Sequence, residues 1–449
     1  MVDDRSLDRL LALPISTLVV GFGVANRAVA AALVRRGHTV VAVDDRAGDE
    51  VRDAAAALGI ELIGQPDDLH ALVAASTLVV PTPGLPEWHP VFAIADELGV
   101  PVISELDLAA VWDDRPVIAI TGTNGKTTAV ELAVAALGAD GQAAVAAGNT
   151  DIPLVTAIDD ADTDVFVVEA SSFRLARASR FSPLVSTWLN FAPDHLDVHH
   201  DLESYEAAKA RIFTLVAAGG TIVANVDDPV VMRNVAADAS LITFGSTGSY
   251  RSVDGELIGP DGMFGKVADL WRDLPHDVED TLAVVASLVP LGVAPAVTVR
   301  AAATFSALAH RVSPVGELDG QMYFDDSKAT TPHATLAAVR GFERVVLIAG
   351  GRNKGIDLSV MGQAGPHVDA VVAIGDAADE IETAFAGIAT VARAEDMEAA
   401  VDAARTLSAG RVPVLLSPGC ASFDWYRSYG ERGDDFARIV ESRAQGERS

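Results

Sequence analysis

Between positions 121 and 128 the chain reads Thr121-Gly122-Thr123-Asn124-Gly125-Lys126-Thr127-Thr128, residue types and spacing that suit the capture of a phosphate chain. The two glycines let backbone N–H groups turn inward around phosphate oxygens, Lys126 adds a point charge, and the Thr127 hydroxyl is placed to ligate Mg2+. An apolar run, residues 117–120, stands directly before the loop, and Val130, Ala133, Val134 and Leu137 follow it at helical spacing. A strand, a loop and a helix are expected in that order, with the helix N-terminus aiming its partial positive charge at the anion. Such loops serve ATPases, GTPases and kinases alike, so this one specifies nucleotide binding and leaves the reaction open.

Other residues of chemical interest stand at the ends of predicted strands. Glu169 follows the apolar run 165–168, where a parallel-sheet enzyme holds its metal; the other reading is a solvated loop carboxylate. The segment Asn190-Phe191-Ala192-Pro193-Asp194-His195-Leu196-Asp197-Val198-His199 again follows a strand. His195 there could bind metal or orient a carboxylate, whereas His199 and His200 read as bystanders. Residues 205–213 read as a helix carrying Lys209, taken alone a surface cation. Farther on, His310-Arg311, the run Asp325-Asp326-Ser327-Lys328-Ala329-Thr330-Thr331 and the turn Gly350-Gly351-Arg352-Asn353-Lys354-Gly355 place cations at strand ends. Together they look like the half of an active site that closes and excludes water. Near the amino terminus, Gly21-Phe22-Gly23 after a strand and Asp44-Asp45 after the next have the spacing of a dinucleotide fingerprint. With Asn26 in the third glycine position, and a second phosphate loop downstream, a UDP-sugar site suits the pattern better than NAD.

Positioning these groups requires alternating elements. β-Branched runs at 17–20, 39–43 and 77–80 alternate with alanine-rich stretches at 26–35 and 54–58, a pattern of βαβ units and parallel sheet. A fresh strand starts at residue 117, after a polar stretch ending in Pro116, and further strands are expected at 165–168, 185–189 and 221–224. A third series follows at 345–349, 370–374 and 414–416. The expectation is an α/β protein of three domains, residues 1–113, 114–309 and 310–449, since 449 residues exceed one ordinary core of roughly 100–200. Residues 281–299 carry no charge, but Pro290, Gly292 and Pro295 break the run, so two buried elements joined by a turn are expected and no membrane insertion. Lys and Arg total 33 against 63 Asp and Glu, a net charge of −30 that disfavours nucleic acid and anionic membranes. Phosphate sites here must therefore rely on local amides and a few placed cations. A single cysteine, Cys420, and an amino terminus without the basic-then-apolar order of a secretory signal lead to a cytoplasmic expectation.

The short Gly-Thr-Asn-Gly-Lys-Thr form, with Gly122 only three positions before Gly125, resembles the Mur ligase family, which includes folylpolyglutamate synthases. The resemblance extends over essentially the whole chain. It is closest to the D-glutamate-adding members through Asp326-Ser327-Lys328-Ala329-Thr330, Gly350-Gly351-Arg352-Asn353-Lys354 and Leu416-Ser417-Pro418-Gly419-Cys420-Ala421-Ser422-Phe423-Asp424. It implies a Rossmann-like UDP-binding domain, a central ATP-binding domain and a Rossmann-like closing domain in a monomer. It implies ATP and two Mg2+ ions as cofactors, with UDP-N-acetylmuramoyl-L-alanine and D-glutamate as substrates and an acyl phosphate between them. By resemblance Gly122, Thr123, Asn124, Gly125, Lys126, Thr127, Thr128, Arg311, Asp326 and Lys328 bind ATP. Lys126, Glu169, His195 and a carbamylated Lys209 are catalytic, and Thr127, Glu169, His195 and Lys209 hold the metal. Asp44, Asp45, Thr82, Asn149 and Ser171 meet the UDP-substrate, and Thr330, Lys354, Ser422 and Tyr429 meet D-glutamate. Two fixed donors such as Lys354 and Ser422 select an acidic amino acid because an apolar one leaves them unpaired. The family usually carries glycine at Asp151, glutamine at Arg174 and asparagine at Asp277 and Asp280. Those last two could contact adenine in an altered hydrogen-bond pattern or simply open a helix with acid.

Overall fold

The structure, a computed structural model, describes residues 4–237, 240–306 and 308–447. The chain forms two compact units. One comprises Met1–Phe191, Val198–Lys266 and Asp280–Ala302, the other Ala192–Asp197, Val267–Glu279 and Ala303–Ser449.

The first unit holds two parallel sheets. In the smaller one the strands run in the order Glu61–Ile63, Thr39–Val43, Ser16–Val20, Leu78–Pro81. Its strands read as near-continuous Val, Leu and Ile because both faces are covered: Leu18 and Val20 pack into one apolar cluster, Val19 and Phe22 into another. The larger sheet is ordered Leu241–Phe244, Thr221–Asn225, Val185–Trp188, Val117–Thr121, Val165–Glu169, Ala144–Gly148. The order reverses beside Val117–Thr121, whose successor in the chain lies at the sheet edge and whose two neighbours come later. A crevice opens at the carboxyl ends of the strands at such a point, which is where ligands of open α/β sheets sit. A small antiparallel sheet, Arg251–Val253, Glu256–Gly259 and Gly262–Lys266, completes this unit and was not anticipated from the sequence.

The second unit is built on a six-stranded sheet ordered Ser313–Leu318, Gln321–Asp325, Val414–Leu416, Val345–Gly350, Val368–Ile374, Thr390–Arg393. Only its first pair is antiparallel. Val345, Leu347 and Ala349 face one apolar layer and Val346 and Ile348 the other, the period of two that a strand imposes.

The uncharged stretch resolves as expected. Helix Pro275–Leu288 gives way to a short turn, Val289–Leu291, Gly292 takes a left-handed φ of 87°, and helix Pro295–Ala303 follows. Among the described residues no helix is long and apolar enough to cross a membrane.

Candidate active site

Strand Val117–Thr121 delivers the chain to the predicted phosphate loop, and helix Lys126–Ala139 leaves it. Gly125 caps that helix at φ 83°, and a Cβ there would fall 2.4 Å from Asp280 Oδ1, so both backbone conformation and space demand glycine. The loop is held open by Asn190. Its Oδ1 accepts from the N–H groups of Thr123 (3.1 Å) and Asn124 (2.9 Å), and its Nδ2 donates to Asn124 O (3.2 Å). Asn190 has no role in the sequence reading; its place at the head of the segment after strand Val185–Trp188 is the available signal.

Two lysines converge on one carbonyl. Lys126 Nζ donates to Gly122 O and to Thr123 O, both at 2.9 Å, while Lys209 Nζ donates to Gly122 O at 2.7 Å. Lys209 is no surface cation: it is 2% exposed on helix Leu202–Thr214, with its ammonium 4.8 Å from the Tyr205 ring centroid. Tyr205 in turn shares a 3.2 Å hydrogen bond with Thr123.

Glu169 ends strand Val165–Glu169 and is buried. Its Oε2 accepts from Thr127 Oγ1 at 2.7 Å and its Oε1 from Asn149 Nδ2 at 2.9 Å. A carboxylate and a hydroxyl side by side, next to a phosphate loop, form the hard oxygen donor set that Mg2+ takes together with substrate phosphates, so these residues fit the ion. Among the described residues there is no cluster of three His, Cys, Asp or Glu that could hold a metal by itself. The pKa of nearby Glu131 is pushed up by burial and by the charges of Glu169 and Asp151.

The expected UDP-substrate residues lie in the first unit. Asp44 is engaged by backbone, its Oδ2 accepting from Phe22 N at 2.7 Å and its Oδ1 from Arg46 N at 2.9 Å, while Asp45 is exposed. Asn26 is fully buried and donates to the carbonyls of Val20, Gly21 and Val80, so it ties the helix start to two strand ends where a third glycine would stand. Thr82 packs against Gly21, where a Cβ would lie 2.5 Å from the threonine methyl, and lines a cavity of ≈ 30 Å³ together with Glu87, Phe173, Arg174 and His199. The Ser171 hydroxyl caps helix Ser172–Leu175 by accepting from Arg174 N. His199, read from sequence as a bystander, is buried and bridges Glu87 Oε1 (2.8 Å) and Ser172 Oγ (3.0 Å).

The second unit gathers the remaining candidates. Asp194 Oδ1 receives Lys354 Nζ at 2.5 Å, and its Oδ2 lies 3.3 Å from His195 Nε2. Burial would raise the Asp194 pKa, yet the charges of His195 and Lys354 hold it below the usual carboxylate range. His195 itself adopts a left-handed φ of 57°. Gly350 and Gly351 turn at φ 124° and 128°, and reciprocal backbone bonds between Arg352 and Ala421 set the Lys354 turn beside buried Ser422. Thr330 is half-buried just before helix Pro332–Val339, Lys328 Nζ lies 5.2 Å from the Tyr429 ring centroid, and Ser327 Oγ donates to Tyr429 O at 2.8 Å. Asp326 accepts from Ser417 Oγ at 2.7 Å, and burial pushes its pKa up to about 7.

Asp277 spends both oxygens on Arg272, at 2.8 and 3.0 Å, and Arg272 also donates to the carbonyls of Arg311 and Val312. That acid is thus an anchor within its unit. Nearby, Arg311 Nε is buried without a hydrogen-bond partner among the described residues.

Residues 120–259 match the model of the Mur ligase middle domain, and residues 310–420 that of the Mur ligase glutamate ligase domain. The chain is 40% identical over 447 residues to a UDP-N-acetylmuramoylalanine–D-glutamate ligase from Frankia casuarinae, covering 95% of this chain and 94% of that one. It is 37% identical over 441 residues to a ligase of the same name from Syntrophotalea carbinolica, with 95% and 97% covered. The fold is shared with a pseudomurein peptide ligase type C from Methanothermus fervidus, at TM-score 0.60 and 17% identity over 95% of this chain and 99% of that one. It is shared equally with a MurF ligase from Thermotoga maritima in complex with ADP, at TM-score 0.60 and 15% identity over 100% and 98%.

Proposed function

The chain belongs to the Mur ligase family, and from that premise we propose that it joins D-glutamate to UDP-N-acetylmuramoyl-L-alanine at the expense of ATP in peptidoglycan precursor synthesis. It is an amide-bond-forming ligase. The observation that carries the reading is the phosphate loop ending in Lys126, with the Thr127–Glu169 pair beside it at the point where the strand order reverses.

A carboxylate resists an amine because its carbonyl carbon is electron-rich and oxide leaves poorly. The alanyl carboxylate of the muramoyl substrate therefore attacks the γ-phosphorus of ATP, ADP departs, and an acyl phosphate forms. Lys126 exchanges the loop carbonyls for phosphoryl oxygens and offsets the charge gathering there. Thr127 and Glu169 are the residues that would hold Mg2+, joined by His195 and a carbamylated Lys209 for two ions in all. The metal would screen the crowded phosphate oxygens. Carbamylation takes Lys209 as the neutral amine, the form that reacts with CO2. The neutral amine of D-glutamate then attacks the acyl carbon, the tetrahedral intermediate sheds one N–H proton and expels phosphate, and the amide remains.

Lys354 and Ser422 hold the side-chain carboxylate of D-glutamate, with Thr330 and Tyr429 alongside. Arg311, Asp326 and Lys328 bind the nucleotide. Asp44, Asp45, Thr82, Asn149 and Ser171 serve the UDP-substrate. The division of labour follows three segments, residues 1–113 for the UDP-substrate, 114–309 for ATP and 310–449 for the amino acid, in a cytoplasmic monomer. Phosphate release tests the reading directly: it should require UDP-N-acetylmuramoyl-L-alanine, ATP and D-glutamate together, and release unaffected by D-glutamate would overturn it.

A further inference from the structure

Glu169 does not stand alone at the end of its strand. Asn149, which donates to it, accepts at Oδ1 from Arg174 Nη1 at 2.8 Å, and Arg174 Nε donates to Glu105 Oε2 at 3.0 Å. Four side-chain hydrogen bonds thus run in series from Glu105, on helix Glu105–Trp112, to Thr127 on the phosphate loop. Their directions are fixed by chemistry. A guanidinium only donates and a carboxylate only accepts, so Asn149 must turn Oδ1 to Arg174 and Nδ2 to Glu169; a flipped amide would set N–H against N–H and oxygen against oxygen. Both Glu169 oxygens are then committed, one to Asn149 and one to Thr127, which sets the plane of the carboxylate.

The ion pair at the far end is nearly sealed from water, the Arg174 and Glu105 side chains being 5% and 1% exposed. A buried ion pair is weak evidence of stabilisation, since well-packed apolar residues often do as well. Its position suggests orientation as its value. The pairing with Glu105 also matters electrically, because an uncompensated guanidinium this close would compete with a metal for Glu169.

We infer that Arg174, neutralised by Glu105, is a positioning residue for the metal site: it locks the Asn149 amide, and the amide locks the Glu169 carboxylate against Thr127. The inference rests on the reading of Thr127 and Glu169 as Mg2+ ligands. Asn149 itself stays exposed, so it can serve the muramoyl substrate from the same fixed pose. A glutamine at position 174 could meet Asn149 with either end of its own amide and would leave that pose undetermined.

The test uses Arg174→Gln, Glu105→Gln and the double variant, with magnesium titrated calorimetrically into the full-length protein saturated with ADP. Either single change strands a buried charge and can unfold the chain. The double variant removes both charges at similar volume, and thermal unfolding checks that it is native. Loss of a partner that orients a metal ligand typically weakens metal binding about 10- to 100-fold. The double variant should therefore fold yet bind magnesium about tenfold more weakly or worse; wild-type affinity in that variant overturns the inference. Glu169→Gln separates the two levels of the argument. If it binds magnesium as the wild type does, the metal-site reading is wrong and the inference falls with it; if it loses magnesium while the double variant retains it, the inference alone falls.

Discussion

Replacing Lys354 by methionine separates the structural task of its ammonium from the one proposed for it in substrate binding. In the folded chain it neutralises Asp194 at 2.5 Å, where the carboxylate side chain is 7% exposed. Removing one partner of a buried pair costs about 3–5 kcal/mol, and the His195 ring and backbone N–H that remain on Asp194 reduce this to about 2–3 kcal/mol. The second task, under the proposed function, is to hold the side-chain carboxylate of D-glutamate. A hydrogen bond to a charged group contributes about 1.5–3 kcal/mol, so the Michaelis constant for D-glutamate should rise on the order of 10- to 100-fold while that for ATP stays within about twofold. Urea unfolding measures the first effect and initial rates of phosphate release the second. Adding Asp194→Asn should recover most of the lost stability, because the stranded charge is gone, and leave the D-glutamate defect unrepaired. Equal rises in both Michaelis constants, or unchanged stability in Lys354→Met, would refute the reasoning.

Two further outcomes are expected. Lys209→Ala should abolish turnover and regain part of it when short carboxylic acids are supplied to take the place of a carbamate; an intact fold with no recovery removes the carbamate from the mechanism. For Asp326 the folded pKa, about 7, lies above the unfolded carboxylate value, so its penalty is absent below about pH 4 and fully present above pH 7. Asp326→Asn should accordingly stabilise the protein by up to a few kcal/mol at pH 8 and have little effect at pH 4, as followed by denaturant unfolding at both pH values.

What the sequence revealed, and what it concealed, divides along physical lines. Strands Thr39–Val43 and Val414–Leu416 fall where the β-branched runs put them, and the phosphate loop lies between the expected strand and helix, because these features depend on local propensity and turn chemistry. The partnerships across long sequence separations were illegible. Asn190 reaches back 66 positions to open the loop, His199 finds Glu87 at a distance of 112, and Arg272 reaches the carbonyl of Arg311 across 39. In each case a polar side chain is fixed by a group that no window of sequence contains. Lys209 shows the same limit in another form: its helix was readable, but its burial depends on what packs over it.

The Lys126 ammonium on the Gly122 carbonyl bears on how the nucleotide is met. Once Lys209 carries a carbamate, Lys126 is the ammonium left on this carbonyl, and the chain around it is strongly anionic, so this corner is a small positive spot in a negative field. An arriving polyphosphate would be repelled at long range and drawn in only over the last ångströms. Added salt should therefore quicken nucleotide capture, the reverse of the slowing seen when opposite charges steer an encounter.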